Sequence, residues 1–395
     1  FRCVAGPPSL HGFVRINPDN PFRFVFDDGT PFFPVGIQEC WGDGRGTGSA
    51  LAEMSMEGPF RTDRPAAWGR LPAGPMFQPG PSAPQNGDVY FRTFAGCGFN
   101  FFRFSQSNCS FSLYESLDRY LVQEAVMTDE ILHHVRKYGF RVFYGLFGYQ
   151  PVFNEHPGDA EGMAKVKRFV KYSVDRWGAL VDFWEFLNEQ KADAAWYGVM
   201  APYLKSIDPY RHPIATSWER PELDGIEVNA PHWYQHVDAT TRENARDALI
   251  NADLYTATEA GKWKEHGKPV VVGEAGNHTD AEKRKRGELL PEFGGVWDPD
   301  SAARMRIRNW AGFFSEVSFI YWATSYARDG HFMNIWLGPR EREYVRALQD
   351  FAYRLDREVR ITPVTVSDPG SVRAYGLASR TRAAVYLRRF AGDGN

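Results

Sequence analysis

Two glutamates in this chain stand where short apolar runs end. The run Phe183-Trp184-Glu185-Phe186-Leu187-Asn188-Glu189 closes on one, and Val270-Val271-Val272-Gly273-Glu274 closes on the other. Two carboxyl groups facing each other across a cleft are what acetal cleavage requires. One, protonated, gives its proton to the departing oxygen; the other, ionised, attacks the anomeric carbon or activates water. At a separation of about 5–5.5 Å the second group is the nucleophile, and the reaction passes through a covalent glycosyl-enzyme with retention. A single Glu at a strand end is usually a cap or an ion-pair partner, so the chemical reading depends on what stands at the neighbouring strand ends.

The elements that would hold such a pair are legible as a rhythm. Residues 12–30 read as a hairpin: Phe22, Phe24 and Phe26 alternate with polar partners, and Asp27-Asp28-Gly29-Thr30 supplies the turn. Apolar strands follow at Pro31–Gln38, Asn100–Phe104, Phe140–Phe147, Leu180–Leu187, Pro213–Ser217, Gly225–Asn229, Pro269–Gly273 and Ser318–Ala323. Helical patterns separate most of them: a stretch ending near Gly96, then about 117–138, 161–177, 193–206, 241–265, 301–315 and 339–353. Eight strands alternating with amphipathic helices predict an α/β fold of the (β/α)8 TIM barrel type, with catalytic groups at the C-terminal ends of the strands. No Gly-rich phosphate loop follows the first strand, which argues against an open nucleotide-binding sheet. Residues 41–86 are rich in Gly and Pro and form a long loop over the barrel mouth, carrying Trp41 and Trp68. The expected organisation is thus a hairpin over 1–30, a catalytic barrel over 31–355 and a small β-rich C-terminal appendage over 356–395. Either the N-terminal hairpin completes that appendage, or the native chain continues past Asn395.

The strand ends, taken together, resemble clan A glycoside hydrolases, and most nearly the cellulase-like glycoside hydrolase family 5 with related uncharacterised branches. The family's strand-four motif usually reads Trp-Glu-Leu-Trp-Asn-Glu-Pro; Trp184, Glu185, Asn188 and Glu189 match it, and Leu187 and Gln190 depart. Arg103, in Asn100-Phe101-Phe102-Arg103, is similar to the second-strand Arg that supports the nucleophile. His232-Trp233-Tyr234 resembles the sixth-strand His-x-Tyr whose Tyr hydrogen-bonds the nucleophile, and Trp322 the tryptophan that floors the sugar subsite. Asp28 to Gly36 resembles the opening of many such chains, so the likeness spans roughly 20–355. Strand three, Tyr144 to Gly148, lacks the His common there.

The resemblance implies a retaining glycosidase that cleaves β-glycosidic bonds of an oligo- or polysaccharide. Glu189 is then acid/base and Glu274 nucleophile, with Arg103, Asn188, His232, Tyr234, Trp322 and Trp41 binding substrate. Arg103 and Tyr234 suit an ionised Glu274, and that charge would raise the pKa of Glu189. Asn188 is the expected partner of the sugar 2-hydroxyl. Glu185 is read as structural, inside the barrel. The alternatives are a carbohydrate-binding barrel without turnover, and a transglycosylase using the same residues.

Bulk properties exclude other classes. The net charge of -3 gives no footprint for nucleic acid, and no apolar run reaches the ~18 residues of a membrane span. The 30 Phe, 18 Tyr and 12 Trp supply core filling and flat rings for a sugar cleft. No cofactor and no metal are expected: His133 and His134 are helical neighbours that do not share a face, and with His236 they lack metal spacing. Cys3, Cys40, Cys97 and Cys109 have no paired spacing and read as free thiols or as one or two disulfides. Lys283-Arg284-Lys285-Arg286 reads as a solvated face, or alternatively as a contact for an anionic sugar. Asn108-Cys109-Ser110 and Asn277-His278-Thr279 fit the glycosylation pattern. A secreted or periplasmic location is expected.

Overall fold

The computed structural model describes residues 11–38, 91–105, 113–148, 158–290, 293, 298–323 and 335–390. Trp41, Trp68, Cys3, Cys40, Cys109, Asn108 and the whole 41–86 segment lie outside them. Eight parallel strands curl into the predicted (β/α)8 barrel. In barrel order they are Val35–Gln38, Phe101–Ser105, Arg141–Gly145, Phe183–Glu185, Ile214–Ala215, His232–His236, Val270–His278 and Val317–Trp322. Register is continuous from strand five back through one to eight, seven and six. The segment before strand six closes the remaining seam. The Glu227 and Val228 amides both donate to Ile214 O (2.8 and 3.1 Å), and the Asn229 amide donates to Pro269 O (2.9 Å).

Among the expected elements that differ are two in the sixth strand–helix unit. The strand placed at Gly225–Asn229 is this seam, holding a single parallel bridge from Asn229 to Val270; strand six proper begins at His232. Pro231, with no N–H to give, separates the two. The helix expected over 241–265 is two helices, Arg242–Ile250 and Ala252–Trp263, parted at Asn251, where Arg373 of the C-terminal sheet reaches in to Asn251 Oδ1 (2.5 Å).

Alternation along the strands sorts the interior into layers. Phe101, Phe143, Phe183, Ala215, Val228, Val271 and Ile320 meet inside the barrel. The rings of Phe101, Phe143 and Phe183 stand 5.2–5.8 Å apart. Two residues further along each strand, the same inner face carries Arg103, Gly145, Glu185, Ser217 and Trp322. An apolar floor therefore lies directly beneath a polar layer.

The N-terminal strands Val14–Ile16, Phe24–Phe26 and Pro31–Phe32 form an antiparallel sheet of their own, turned at Gly29 with φ 83°. It seals the barrel bottom: the Phe24 ring meets Phe183 edge-on at 5.3 Å, and Phe32 meets Phe101 at 5.9 Å. The hairpin therefore does not complete the appendage. Strands Arg360–Thr362, Val372–Ala378 and Ala383–Arg389 make a separate sheet, docked on the helix Ser301–Phe314 through Tyr386 stacked on Trp310. Outside the barrel the helices pack by apolar periodicity. Ala160–Trp177, capped by Asp159 on the Gly162 amide, buries Met163, Val166, Val170, Val174 and Trp177 on one face.

Candidate active site

The polar layer is organised by Arg103, which is fully buried and spends all five of its N–H donors. Nε and Nη2 bind Glu185 Oε2 (2.9 and 2.6 Å), Nη1 binds Gln38 Oε1 (2.5 Å) and Glu274 Oε1 (2.8 Å), and Nη2 also binds Asn188 Oδ1 (2.6 Å). Burial opposes the guanidinium charge, but the carboxylates of Glu185 and Glu274 outweigh it and raise the Arg103 pKa. One side chain on strand two thus fixes residues from strands one, four and seven and from the strand-four exit.

Glu274 reaches this layer through an irregularity in strand seven. Simple alternation from Val271 would place Gly273 inside and Glu274 outside. The register against strand eight shifts between Val272 and Ala275, and the extra residue turns Glu274 inward. It is 4% exposed. Its second oxygen, Oε2, accepts a hydrogen bond from the Tyr234 hydroxyl. Burial, and then the Glu274 charge, hold the Tyr234 pKa well above the usual phenol value, so Tyr234 remains a donor.

Asn188 and Glu189 follow strand four. Because Arg103 occupies the Asn188 Oδ1, its NH2 group is the end left to donate elsewhere. Glu189 has φ 52°, in the left-handed region that costs a non-glycine residue of the order of 1–3 kcal/mol. Its side chain is 27% exposed, and Oε1 lies 2.8 Å from His232 Nδ1. With a proton on Nδ1, His232 holds the Glu189 carboxyl below its ordinary range; burial opposes this and Arg103 adds to it. His232, rather than Glu274, is the main influence on Glu189, which corrects the sequence expectation. One carboxyl oxygen each of Glu189 and Glu274 and a ring nitrogen of His232 lie within 4.8 Å of one another. The buried Arg103 charge against Glu274 and the Tyr234 donor already fill this carboxylate's needs, an arrangement ill suited to a cation.

Seven of the eight named site residues fall within the described structure. Six converge through the contacts above or, for Trp322, through its place on the inner face of strand eight opposite Gln38. Asn188 joins them through Arg103, and Trp41 lies outside the described residues. Sequence reasoning passed over Gln38, Ser217 and Trp218. Ser217 ends strand five, where the strand-end rule pointed, but serine carries no signal of its own. Trp218 follows it and is 45% exposed, the one tryptophan among the exposed large apolar side chains described.

Other expectations resolve away from the site. Asn277 is buried, its Nδ2 donating to Ser301 Oγ (2.7 Å), so this sequon is closed to a glycan. Lys285 pairs with Glu282 and Arg286 with Glu288 on an exposed short helix. Cys97 is a free, half-buried thiol. His133 bonds Asp129 O within its own helix, and the His236 ring lies beside His278 at 5.7 Å. Among the described residues no helix is long and apolar enough to cross a membrane.

No protein-family model matches the chain, and no curated protein matches it. Solved structures do. A glycoside hydrolase family 5 mannosidase from Rhizomucor miehei superposes with a TM-score of 0.59 at 12% identity, covering 86% of this chain and 97% of that one. A glycoside hydrolase family 5 structure from Bacteroides vulgatus gives 0.58 at 14% identity, over 98% and 82%. An endo-1,4-beta-mannanase from Rhizomucor miehei gives 0.52 at 13%, over 87% and 99%. This chain has the fold of glycoside hydrolase family 5 structures.

Proposed function

We propose that this chain is a retaining glycoside hydrolase acting on β-glycosidic bonds of an oligo- or polysaccharide, with Glu189 as acid/base and Glu274 as nucleophile. The observation that carries the reading is the approach of the two carboxyl groups, with oxygens within 4.8 Å, in a cluster where each has a different environment. So close an approach favours the about 5–5.5 Å arrangement of retaining enzymes over the about 6.5–9.5 Å that inverting enzymes use to seat a water.

The residues divide the work. Glu274, held by Arg103 and Tyr234, attacks the anomeric carbon while Glu189 protonates the departing oxygen. Water then enters, gives its proton to Glu189 and breaks the glycosyl–Glu274 ester. Asn188 offers its NH2 group to the 2-hydroxyl, a contact that strengthens as the oxocarbenium character grows. Trp322 and the exposed Trp218 offer flat rings to the sugar faces.

The test is a panel of aryl and oligosaccharide β-glycosides, headed by β-mannosides because two of the similar structures are a mannosidase and a mannanase. The anomer formed first is read by proton NMR. The β anomer from a β-glycoside is expected, with turnover lost in Glu274→Gln. Inversion, or undiminished turnover in that variant, overturns the proposal. The alternatives of a binding barrel without turnover and of a transglycosylase are distinguished in the same assay by binding without product and by products longer than the substrate.

A further inference from the structure

Ser217 stands behind the acid/base with a hydroxyl that has one proton and two claimants. It is 1% exposed. Its Oγ lies 2.7 Å from Glu185 Oε1 and 3.0 Å from His232 Nε2, with Ala230 O further off at 3.4 Å. The claimants are unequal. Glu185 is fully buried and locked to Arg103 through Oε2; Ser217 is the donor to its other oxygen. A bond to an ionised acceptor is roughly twice as strong as one between neutral groups, and a buried carboxylate oxygen left bare is costly. The Ser217 proton therefore goes to Glu185, and Oγ must accept from His232. That places a proton on Nε2.

A second feature holds the ring in this pose. Gly273 faces it from strand seven, where a Cβ would stand 3.2 Å from Nε2 and 3.3 Å from the adjoining ring carbon. Any side chain there would press on the imidazole edge that meets Ser217.

With Nε2–H committed, Nδ1 faces Glu189 Oε1 at 2.8 Å, and the contact is a hydrogen bond only if one proton lies in it. Whether that proton sits on the carboxyl or on the ring, the pair carries it. We propose that Ser217 is a positioning residue for proton transfer: anchored by Glu185, it takes the Nε2–H of His232 and so obliges the Glu189–His232 pair to store one proton. The inference rests on the proposed hydrolase reading for its consequence, though not for its geometry. In the first step the stored proton leaves through Glu189 to the departing oxygen as the C–O bond breaks. In the second, the proton of the attacking water restores it. The charged and titratable groups around the pair are Arg103 from strand two, Glu185 from strand four, Tyr234 from strand six and Glu274 from strand seven, the last 3.5 Å from His232 Nδ1.

The direct test needs no substrate. In protein labelled with 15N-histidine, with the His232 signals assigned by their loss in His232→Gln, Nε2 should carry a proton across neutral pH. A neutral ring with a bare Nε2 and a proton on Nδ1 overturns the proposal. The second arm uses turnover. Ser217→Ala frees the ring to adopt the Nδ1–H tautomer, which donates to an ionised Glu189 without a stored proton. The alkaline limb of kcat/KM for oligosaccharides should then fall by about one pH unit, the size one hydrogen bond supplies. For aryl glycosides with activated leaving groups, whose departure needs little acid assistance, kcat/KM should change much less than for oligosaccharides. Ser217→Thr, which keeps the hydroxyl, should restore the profile. A wild-type limb in a folded Ser217→Ala overturns the proposal. If the wild type hydrolyses no glycoside, the hydrolase reading fails, and the NMR arm still decides the relay.

Discussion

Each end of the barrel buries an ionic cluster around one arginine, and the two are imbalanced in opposite directions. At the C-terminal end Arg103 faces two carboxylates, Glu185 and Glu274, inside a buried layer beside the partly exposed Glu189. At the N-terminal end Glu316 faces two cations: Lys264 at 2.8 Å, and Arg23, whose charge also acts on it. Asn20 adds a hydrogen bond to Glu316 (2.7 Å). Arg23 lies against the Phe313 ring with its charge 4.6 Å from the centroid, and burial brings its pKa down to about 10. Excess cation against aromatic faces is a seal, since rings tolerate positive charge and nothing there must react. Excess carboxylate gathered on a single guanidinium beside a histidine is, under the proposed reading, the set that holds the reacting groups in place. Two similar sets of buried charges therefore serve different ends according to which sign is in surplus.

The contrast can be broken at four points. The largest effect belongs to Glu274→Gln, which keeps the shape and removes the proposed nucleophile. Turnover should fall by on the order of 10⁴-fold or more while thermal unfolding stays near wild type. Next comes Arg103→Met. It leaves Glu185 and Glu274 buried without their cation, a change that costs about 3–5 kcal/mol. Calorimetry should show a large fall in Tm, and the folded fraction should also lose activity, because Asn188 and Glu274 lose their common anchor. A stable, active Arg103→Met protein would remove the guanidinium from the centre of the site.

At the other end, Glu316→Gln should cost about 2–3 kcal/mol, through two cations left short of their counter-charge. Activity per folded molecule should be unchanged. Burial raises the Glu316 pKa, but Arg23 and Lys264 outweigh it, and the folded value lies below the ordinary one. Its contribution is therefore complete above the unfolded carboxylate value, about 4.3, and is lost as pH falls through the folded value. Wild-type Tm should drop in that acid window more than the Glu316→Gln Tm does. An altered pH–rate profile in this variant would show that the two ends are not separate.

How far the sequence carried the site follows from which residues obey local rules. Phe101 with Arg103, and Phe183 with Glu185, keep the two-residue period, so strand ends placed them correctly on the inner face. Glu274 breaks that period through the register shift in strand seven; the end of the apolar run Val270–Gly273 and the resemblance pointed to it, the alternation did not. Strand six was displaced because Pro231 splits one apolar stretch into a seam and a strand. The hairpin was legible from Phe22, Phe24 and Phe26, yet its partner was not: the contact of Phe24 with Phe183 spans the whole barrel and leaves no local trace. Ser217 had no signal because its role depends on Glu185 and His232, which the fold alone brings to it.

The smallest expected effect is at Trp218. Its ring is nearly half exposed, so Trp218→Ala should leave stability within about 0.5 kcal/mol. Under the proposed mechanism its position ties it to the leaving-group side. Ser217 O accepts the Gln190 amide at 3.3 Å, so Trp218 follows directly on the residue that braces the turn of Glu189, the proposed acid/base. Loss of one stacking surface is worth about 0.5–1.5 kcal/mol, which for kcat/KM is roughly a two- to thirteenfold fall. That fall should appear with oligosaccharides, whose leaving group is a ring, and be absent with methyl glycosides, whose leaving group has no face to stack. An equal loss on both would mean that Trp218 acts by shaping the Glu189 turn and not by touching sugar. In that case the aromatic platform of the cleft would have to be sought at Trp322 on the opposite wall.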